Sequence, residues 1–393
     1  MNLKRLKLEN FRAKSRGELT LGSRLTVLIG TNGSGKTTVL DAVAIGLGEV
    51  LTHLPQVSGI TFGRRGEIHQ SHNQIAPYAR ITLETSEGLA WDRQIKRDKA
   101  RKTSSQIPPA LGVKGLRRFL DEEIIQPWSS DGQFDLPVIA YYGVTRALLD
   151  IPLRRRGFPN QYSRFDGLAN ALEANTRFRS AFAWFYSKEN EEHRLQKASR
   201  SFDIVLPELQ AVRRAIEGMF PDLGNPHIKV NPLRFVLEQT TDSGDVEAFD
   251  IAQLSDGYQT LLGVVIDLSA RMAMANPDAV DPLQSPGVVL IDEVDLHLHP
   301  AWQQRVLGDL MRVFPKLQFI VTTHSPFVIE AVNNHLKRAQ IDRLEIKDDK
   351  IRQLLPLSGS QVAAYQMTGK AETSMLDDET GLLDDELLLQ LNN

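Results

Sequence analysis

Eight residues near the N-terminus, Gly30-Thr31-Asn32-Gly33-Ser34-Gly35-Lys36-Thr37, fit the pattern of a phosphate-binding loop. Their context matters as much as their identity. Leu25 to Ile29 is a short apolar run ending at a glycine, and Lys36 to Leu47 repeats apolar residues at Val39, Leu40, Val43, Ala44 and Leu47, one face of a helix. Strand, glycine turn and helix in that order let successive N–H groups converge on phosphate oxygens at the positive end of the helix. A chain that opens this way is expected to be an α/β protein that binds a nucleotide. The cofactor-binding candidates are Gly30, Asn32, Gly33, Ser34, Gly35, Lys36, Thr37 and Thr38. Lys36 would reach the outer phosphates, and the Thr37 hydroxyl would bind Mg²⁺.

The last third supplies the expected partners. Val288 to Ile291 reads as a fully buried strand ending in Asp292-Glu293. Ligands in α/β sheets bind at strand mouths, so Asp292 is expected to hold the metal and Glu293 to orient or deprotonate an attacking water. Leu317 to Thr322 is a second buried strand, closed by Thr323-His324-Ser325, with His324 beside the γ-phosphate. Between these strands Ala301 to Phe314 reads as a helix. Upstream, Leu254-Ser255-Asp256-Gly257-Tyr258-Gln259 opens a helix over Gly257 to Ala275, with Ser255 as its N-cap and Asp256 favouring the same end.

Other segments are less diagnostic. Residues 2–9 read as a strand that Gly17 to Leu21 can pair with, and Ala79 to Leu83 with Leu89 to Ile95 form a hairpin turning at Ser86-Glu87-Gly88. A helix is expected around Leu111 to Ile125, a strand at Pro137 to Tyr142, and helices from Arg164 to Phe220, where Phe178, Phe182 and Phe185 recur at helical spacing. Strands are expected near His227 to Leu237 and Val246 to Ile251. The division expected is an ATPase core in two parts, 1–97 and 253–330, an inserted and mainly helical lobe at 98–252, and a C-terminal extension at 331–393 with an acidic tail.

Charge balance conceals a local asymmetry. The 393 residues carry 46 Lys and Arg against 49 Asp and Glu, a net charge of −3. Yet Arg93, Lys96, Arg97, Lys99, Arg101 and Lys102 cluster in one stretch and Arg154, Arg155 and Arg156 in another. Past Lys370 the chain has no basic residue but carries Glu372, Asp377, Asp378, Glu379, Asp384, Asp385 and Glu386, interleaved with Leu376, Leu382, Leu383 and Leu387 to Leu389. The basic runs are candidate DNA contacts or solvated loops, and the tail is either a docking helix or an acidic end. Cysteine is absent, which excludes disulfide scaffolds, thiolate metal sites and cysteine nucleophiles. No stretch approaches a membrane span, so a cytoplasmic protein without membrane contact is expected.

The ordered set of phosphate loop, Leu254–Gln259, Val288–Glu293, Val294–Pro300 and Thr322–Ser325 resembles the ABC-class ATPases of the RecF, SMC and OLD type. Leu8-Glu9-Asn10-Phe11-Arg12 is similar to the start of that branch. The resemblance implies a P-loop ABC-type ATPase head with a mixed sheet core and an inserted helical lobe. It further implies two ATP molecules with Mg²⁺ sandwiched in a head-to-tail pair with a second copy. Ser255 and Gly257 would touch ATP in trans, Asp295 would lie in the loop communicating across the dimer, and His324 would be the switch histidine. The family's glutamine loop has no evident match, and Tyr142 or Arg146 is a candidate stand-in.

More narrowly, Tyr141-Tyr142-Gly143 with Arg146, Arg164 to Leu168, Trp184-Phe185 and Val294–Pro300 resemble the ATP-binding proteins once labelled virulence-associated. These include ATPase subunits of anti-phage systems such as Septu and retron-linked modules. The implied function is an Mg²⁺-dependent ATPase that regulates an effector nuclease encoded nearby. The alternatives are a RecF-like DNA-binding repair ATPase and a scaffold that binds ATP without turnover. The stretch after Ser325 shows no acidic metal-site array, so any cutting activity is expected on a separate chain.

Overall fold

The computed structural model describes residues 1–63, 65–71, 74–145, 161–174, 178–240, 244–341, 351, 354–369, 371–377 and 379–384. Leu3–Phe11 (β1) and Lys14–Thr20 (β2) pair antiparallel, with Leu8 opposite Gly17. Leu25–Ile29 (β3) is buried along its whole length and leads through the glycine loop into Lys36–His53 (α1). Tyr78–Thr85 (β4) and Ala90–Lys96 (β5) form the expected hairpin, which extends the first sheet in the order β2-β1-β4-β5. The helix expected around Leu111 begins later, at Lys114–Leu120 (α2), and continues as a wider turn over Asp121–Ile125.

Val138–Tyr142 (β6) is also wholly buried. Arg179–Ser199 (α3) and Pro207–Met219 (α4) follow, then Leu223–Val230 (β7), Leu233–Thr240 (β8) and Val246–Asp250 (β9), an antiparallel sheet in the order β9-β8-β7. The Phe178, Phe182 and Phe185 rings lie 6.1, 6.3 and 5.0 Å from Phe235 of β8, which fastens this sheet to the aromatic stripe of α3. Asp256–Ala275 (α5) packs on α3, α4 and β6.

Gly287–Ile291 (β10), Val306–Val313 (α6), Leu317–Thr323 (β11) and Pro326–Gln340 (α7) complete the expected alternation of strand and helix. The single helix expected over Ala301 to Phe314 is broken, however. A turn over Pro300–Gln303 stops before α6, and Gln303 is bonded to the Leu298 carbonyl and the Ser325 hydroxyl instead of continuing an exposed helical face.

Val362–Met367 (β12) and Glu372–Ser374 (β13) are strands that periodicity did not reveal. They finish a six-stranded mixed sheet in the order β13-β12-β3-β11-β10-β6, parallel except for β13. Strands from 98–252 and 331–393 therefore stand beside those of the two core segments. The amphipathic helix considered for the tail is absent over 371–377 and 379–384: Leu376 and Leu383 bridge as extended chain, and Leu383 is buried. Leu387 to Leu389 lie outside the described residues.

Continuous apolar runs such as Val288–Ile291 need cover on both faces. α1 supplies one, lying between the antiparallel sheet and β10 and β11. Buried Gln318 of β11 joins the two sheets, bonding the Leu3 N–H at 2.8 Å and the Leu3 and Gly22 carbonyls at 2.7 and 2.8 Å. The strand ends of β3, β10 and β11 thus reach one edge together. No helix among the described residues is long and apolar enough to cross a membrane.

Candidate functional site

At the end of β3 the loop takes a shape that side chains would obstruct. A Cβ on Gly30 would stand 2.4 Å from the Met367 carbonyl, while Gly33 and Gly35 adopt φ of +78° and +96°, the left-handed region that glycine enters freely. Gly35 is the N-cap of α1 and offers no side chain, so the first N–H groups of the helix have no side-chain cap. The buried Ser34 hydroxyl has no hydrogen-bond partner among the described residues. Asn32 and Thr37 are exposed and Thr38 half-buried. Lys36 is buried, and its Nζ donates to the Gly30 and Thr31 carbonyls at 2.7 and 3.0 Å. Burial lowers its pKa, opposed by the charges of Asp292, Glu293 and Asp295.

The Asp-Glu strand delivers its carboxylates to the same place. Asp292 is buried and accepts from Thr37 Oγ1 at 2.9 Å and from Thr322 Oγ1 at 2.5 Å. Glu293 holds φ of +48°, unusual for a residue with a Cβ, and its N–H donates to Thr322 Oγ1 at 2.7 Å. His324 Nε2 stands 3.1 Å from Lys36 Nζ and 3.6 Å from Glu293 Oε1. Asp295 accepts from Thr323 Oγ1 at 2.6 Å and from the His324 N–H at 3.4 Å, which ties it to the histidine segment of its own chain. Lys36, Thr37, Asp292, Glu293, Asp295 and His324 are therefore one connected cluster.

The donor set fits a Mg²⁺–nucleotide. Uncapped helical N–H groups, the Ser34 hydroxyl and the Lys36 ammonium are donors that suit an anion, and the Thr37–Asp292 pair offers two hard oxygens, which suits an ion that takes its other ligands from phosphate and water.

Among the described residues no hydrogen bond joins the Leu254–Gln259 segment to this cluster, although its Gly257 packs on His297, two residues from Asp295. Ser255 has N-cap backbone geometry and is exposed, but its side chain makes no capping hydrogen bond, so the expected cap is present in position only. Asp256 is exposed as well. Gly257 is buried against its own chain, where a Cβ would come within 2.3 Å of the His297 carbonyl. Tyr258 accepts a bond from Trp302 Nε1 at 3.1 Å. Among the described residues no hydrogen bond joins Ser255 or Asp256 to the phosphate loop.

Two sequence readings need correction. Tyr142 points away from the cluster: it is buried and donates to Asp267, which is paired with Arg271 at 2.7 Å. Strand alternation turns Tyr141 the other way. Its hydroxyl donates to Asp41 at 3.0 Å, and burial, with the charges of Asp41 and Asp292, pushes its pKa well up. Asp41 also accepts from Arg12 at 2.5 Å, and Arg12 reaches Glu67. Counting parity from the buried strand would have picked Tyr141. Arg146, with Arg154 to Arg156, lies outside the described residues.

The second correction concerns the basic run. Arg93 is structural, donating to the Ile45 and Ile60 carbonyls at 2.7 and 2.6 Å and pairing with Glu49. Arg97 is bonded to Asp98, the Ile75 carbonyl and Thr103. Lys96, Lys99, Arg101 and Lys102 remain exposed, and Lys102 and Arg97 border an open cleft of about 640 Å³.

Comparison with known proteins agrees with this geometry. Residues 5–219 match the family described as "AAA domain", and residues 152–330 match "AAA domain, putative AbiEii toxin, Type IV TA system". The chain is 25% identical to "Retron Vc95 probable ATPase" of Vibrio cholerae serotype O1 biovar El Tor, over 91% of this chain and 76% of that protein. It is 26% identical to "Retron Ec83 probable ATPase" of Escherichia coli, over 81% and 67%. It is also 26% identical to "Septu protein PtuA" of Bacillus mycoides, over 78% of this chain but 35% of that longer protein. With more than half of its length matched and the phosphate loop inside the match, the chain belongs to the AAA-domain family of ATPases.

Proposed function

We propose that this protein is an Mg²⁺-dependent ATP hydrolase of the ABC class that pairs head to tail with a second copy and controls a partner effector, a nuclease, in cytoplasmic anti-phage defence. One observation carries the enzymatic part: Lys36, Thr37, Asp292, Glu293 and His324, distant in sequence, meet at the ends of β3, β10 and β11. The defence role rests on the retron and Septu names of its relatives. Segment 98–252 is proposed as the lobe that carries the signal between ATP and the partner, with 1–97 and 253–330 as the core and 331–393 as the extension.

Each residue has a distinct task. Loop N–H groups of Gly33, Ser34 and Gly35, with Lys36, bind the phosphates, and Asn32 and Thr38 border them. Mg²⁺, held by Thr37 and Asp292, would supply charge neutralisation at the outer phosphates. Glu293 orients the attacking water and accepts its proton, fixed by the Thr322 bond to its N–H. His324 stands between Lys36 and Glu293, where it donates to the γ-phosphate. From the second copy, the N-terminus of α5, with Ser255 and Asp256 exposed and Gly257 behind them, meets the same phosphates, and Asp295 joins the two copies.

The test is ATP hydrolysis by Glu293→Gln, expected to fall at least ~100-fold, the usual contribution of a general base, while an ATP-dependent dimer persists in size-exclusion chromatography. Equal rates in both proteins would refute Glu293 as the base. No turnover in either protein, with the dimer intact, would favour the scaffold reading. The DNA-binding reading draws on exposed Lys96, Lys99, Arg101 and Lys102. Reversing Lys99, Arg101 and Lys102 to Glu should then abolish salt-sensitive duplex binding, and unchanged binding would remove it.

A further inference from the structure

The hairpin of β12 and β13 closes on the phosphate loop from the flank opposite β11. Met367, the last residue of β12, presses its carbonyl against Gly30, where only a hydrogen fits. Glu372, the first residue of β13, forms an ion pair with Lys14 of β2. Lys14 is only 7% exposed, and its Cε lies 3.5 Å from the position a Cβ on Gly35 would occupy, beside the uncapped start of α1. A buried cation therefore stands at the edge of the phosphate cradle, with Glu372 as its carboxylate partner. Buried ion pairs add little stability over apolar pairs of the same volume. The location of this pair is thus its informative property.

We propose that Lys14 is a second phosphate-binding cation, shared between Glu372 and the nucleotide, and that Glu372 thereby sets the affinity for ATP. The inference rests on the proposed ATP-binding role of the loop. A polyphosphate entering the cradle offers Lys14 a stronger anionic partner than one carboxylate, while the Glu372 charge opposes that entry. Lys14 and Glu372 must then act with opposite sign on nucleotide binding, although both help to hold the hairpin. A pair that only staples β2 to β13 would act with one sign, because removing either partner leaves the other charge buried and loosens the same contact.

The experiment is calorimetric titration of the full chain with ATP and Mg²⁺, alongside thermal unfolding without nucleotide. Both Lys14→Gln and Glu372→Gln should lower the unfolding temperature. Affinity should split: about tenfold weaker for Lys14→Gln and about tenfold tighter for Glu372→Gln, as expected for one partly screened charge at this range. The double variant, which buries no lone charge, should bind more tightly than Lys14→Gln alone and keeps the test available if Glu372→Gln does not fold. Affinities that fall together, or do not change, would overturn the inference while leaving the ATPase reading intact. A wild-type chain that binds no ATP would overturn both.

Discussion

Replacing Thr322 with valine exchanges one hydroxyl for a methyl of similar size, so the packing at the end of β11 is kept and only hydrogen bonds are lost. That hydroxyl is fully buried; it donates to Asp292 Oδ1 at 2.5 Å and accepts the Glu293 N–H at 2.7 Å. A bond to a charged partner contributes roughly 1.5–3 kcal/mol and a neutral one roughly 0.5–1.5 kcal/mol, with more lost if the buried N–H stays unmatched. The folded state should therefore lose about 3 kcal/mol. The functional consequence is more specific. Glu293 is held at φ of +48°, a conformation that costs about 1–2 kcal/mol for a residue with a Cβ. Without Thr322 the backbone relaxes and carries the carboxylate away from its place opposite His324. Single-turnover hydrolysis should slow at least about tenfold, while ATP affinity, to which the Thr322 hydroxyl makes no direct contribution, changes less than about threefold. Urea denaturation and ATP titration measure the two terms separately. A stability change below about 0.5 kcal/mol, or an unaltered hydrolysis rate, would refute the claim that Thr322 positions Glu293.

Burial raises the Glu189 pKa from 4.5 to about 7, opposed by the Ile228 N–H it accepts from and by Arg213. A raised acid leaves the fold unpenalised below about pH 4.5 and costs it progressively up to about pH 7, to a total of about 3 kcal/mol. Glu189→Gln should flatten the decline in urea midpoint between pH 5 and pH 8, and parallel profiles for the two proteins would contradict this. Gly257→Ala drives a Cβ to 2.3 Å from the His297 carbonyl, so it should cost about 1–3 kcal/mol and weaken ATP-dependent dimerisation. Wild-type stability and dimerisation together would show that the two segments separate freely.

What could be read from the sequence follows the range of the forces involved. The phosphate loop is local: glycines, a preceding apolar strand and a helical stripe lie within about twenty residues, and the fold has the strand, turn and helix where they are expected. Asp292 and His324 were legible as strand-end residues because β10 and β11 are apolar runs with abrupt polar ends. β12 escaped notice because Val362–Met367 mixes Tyr365 and Gln366 with small residues, and its strand character comes from β3, far away in sequence. Tyr141 and Tyr142 differ only in the face of the strand they occupy, which identity cannot tell. Arg93 looked like its basic neighbours, yet two carbonyls and Glu49 waited for it in the fold.

The neighbours of β3 have a temporal consequence. The strand that carries the phosphate loop leaves the ribosome early, but β11 and β12, which flank it, are made near the other end of the chain. At synthesis rates of roughly 5–20 residues per second, that strand stays uncovered for on the order of tens of seconds. Its apolar residues Leu25, Val27, Leu28 and Ile29 then form an open edge that invites intermolecular pairing. A nascent or prematurely released fragment that stops before β11 cannot assemble the Lys36–Asp292–His324 cluster, so whatever that cluster does waits until translation has passed His324.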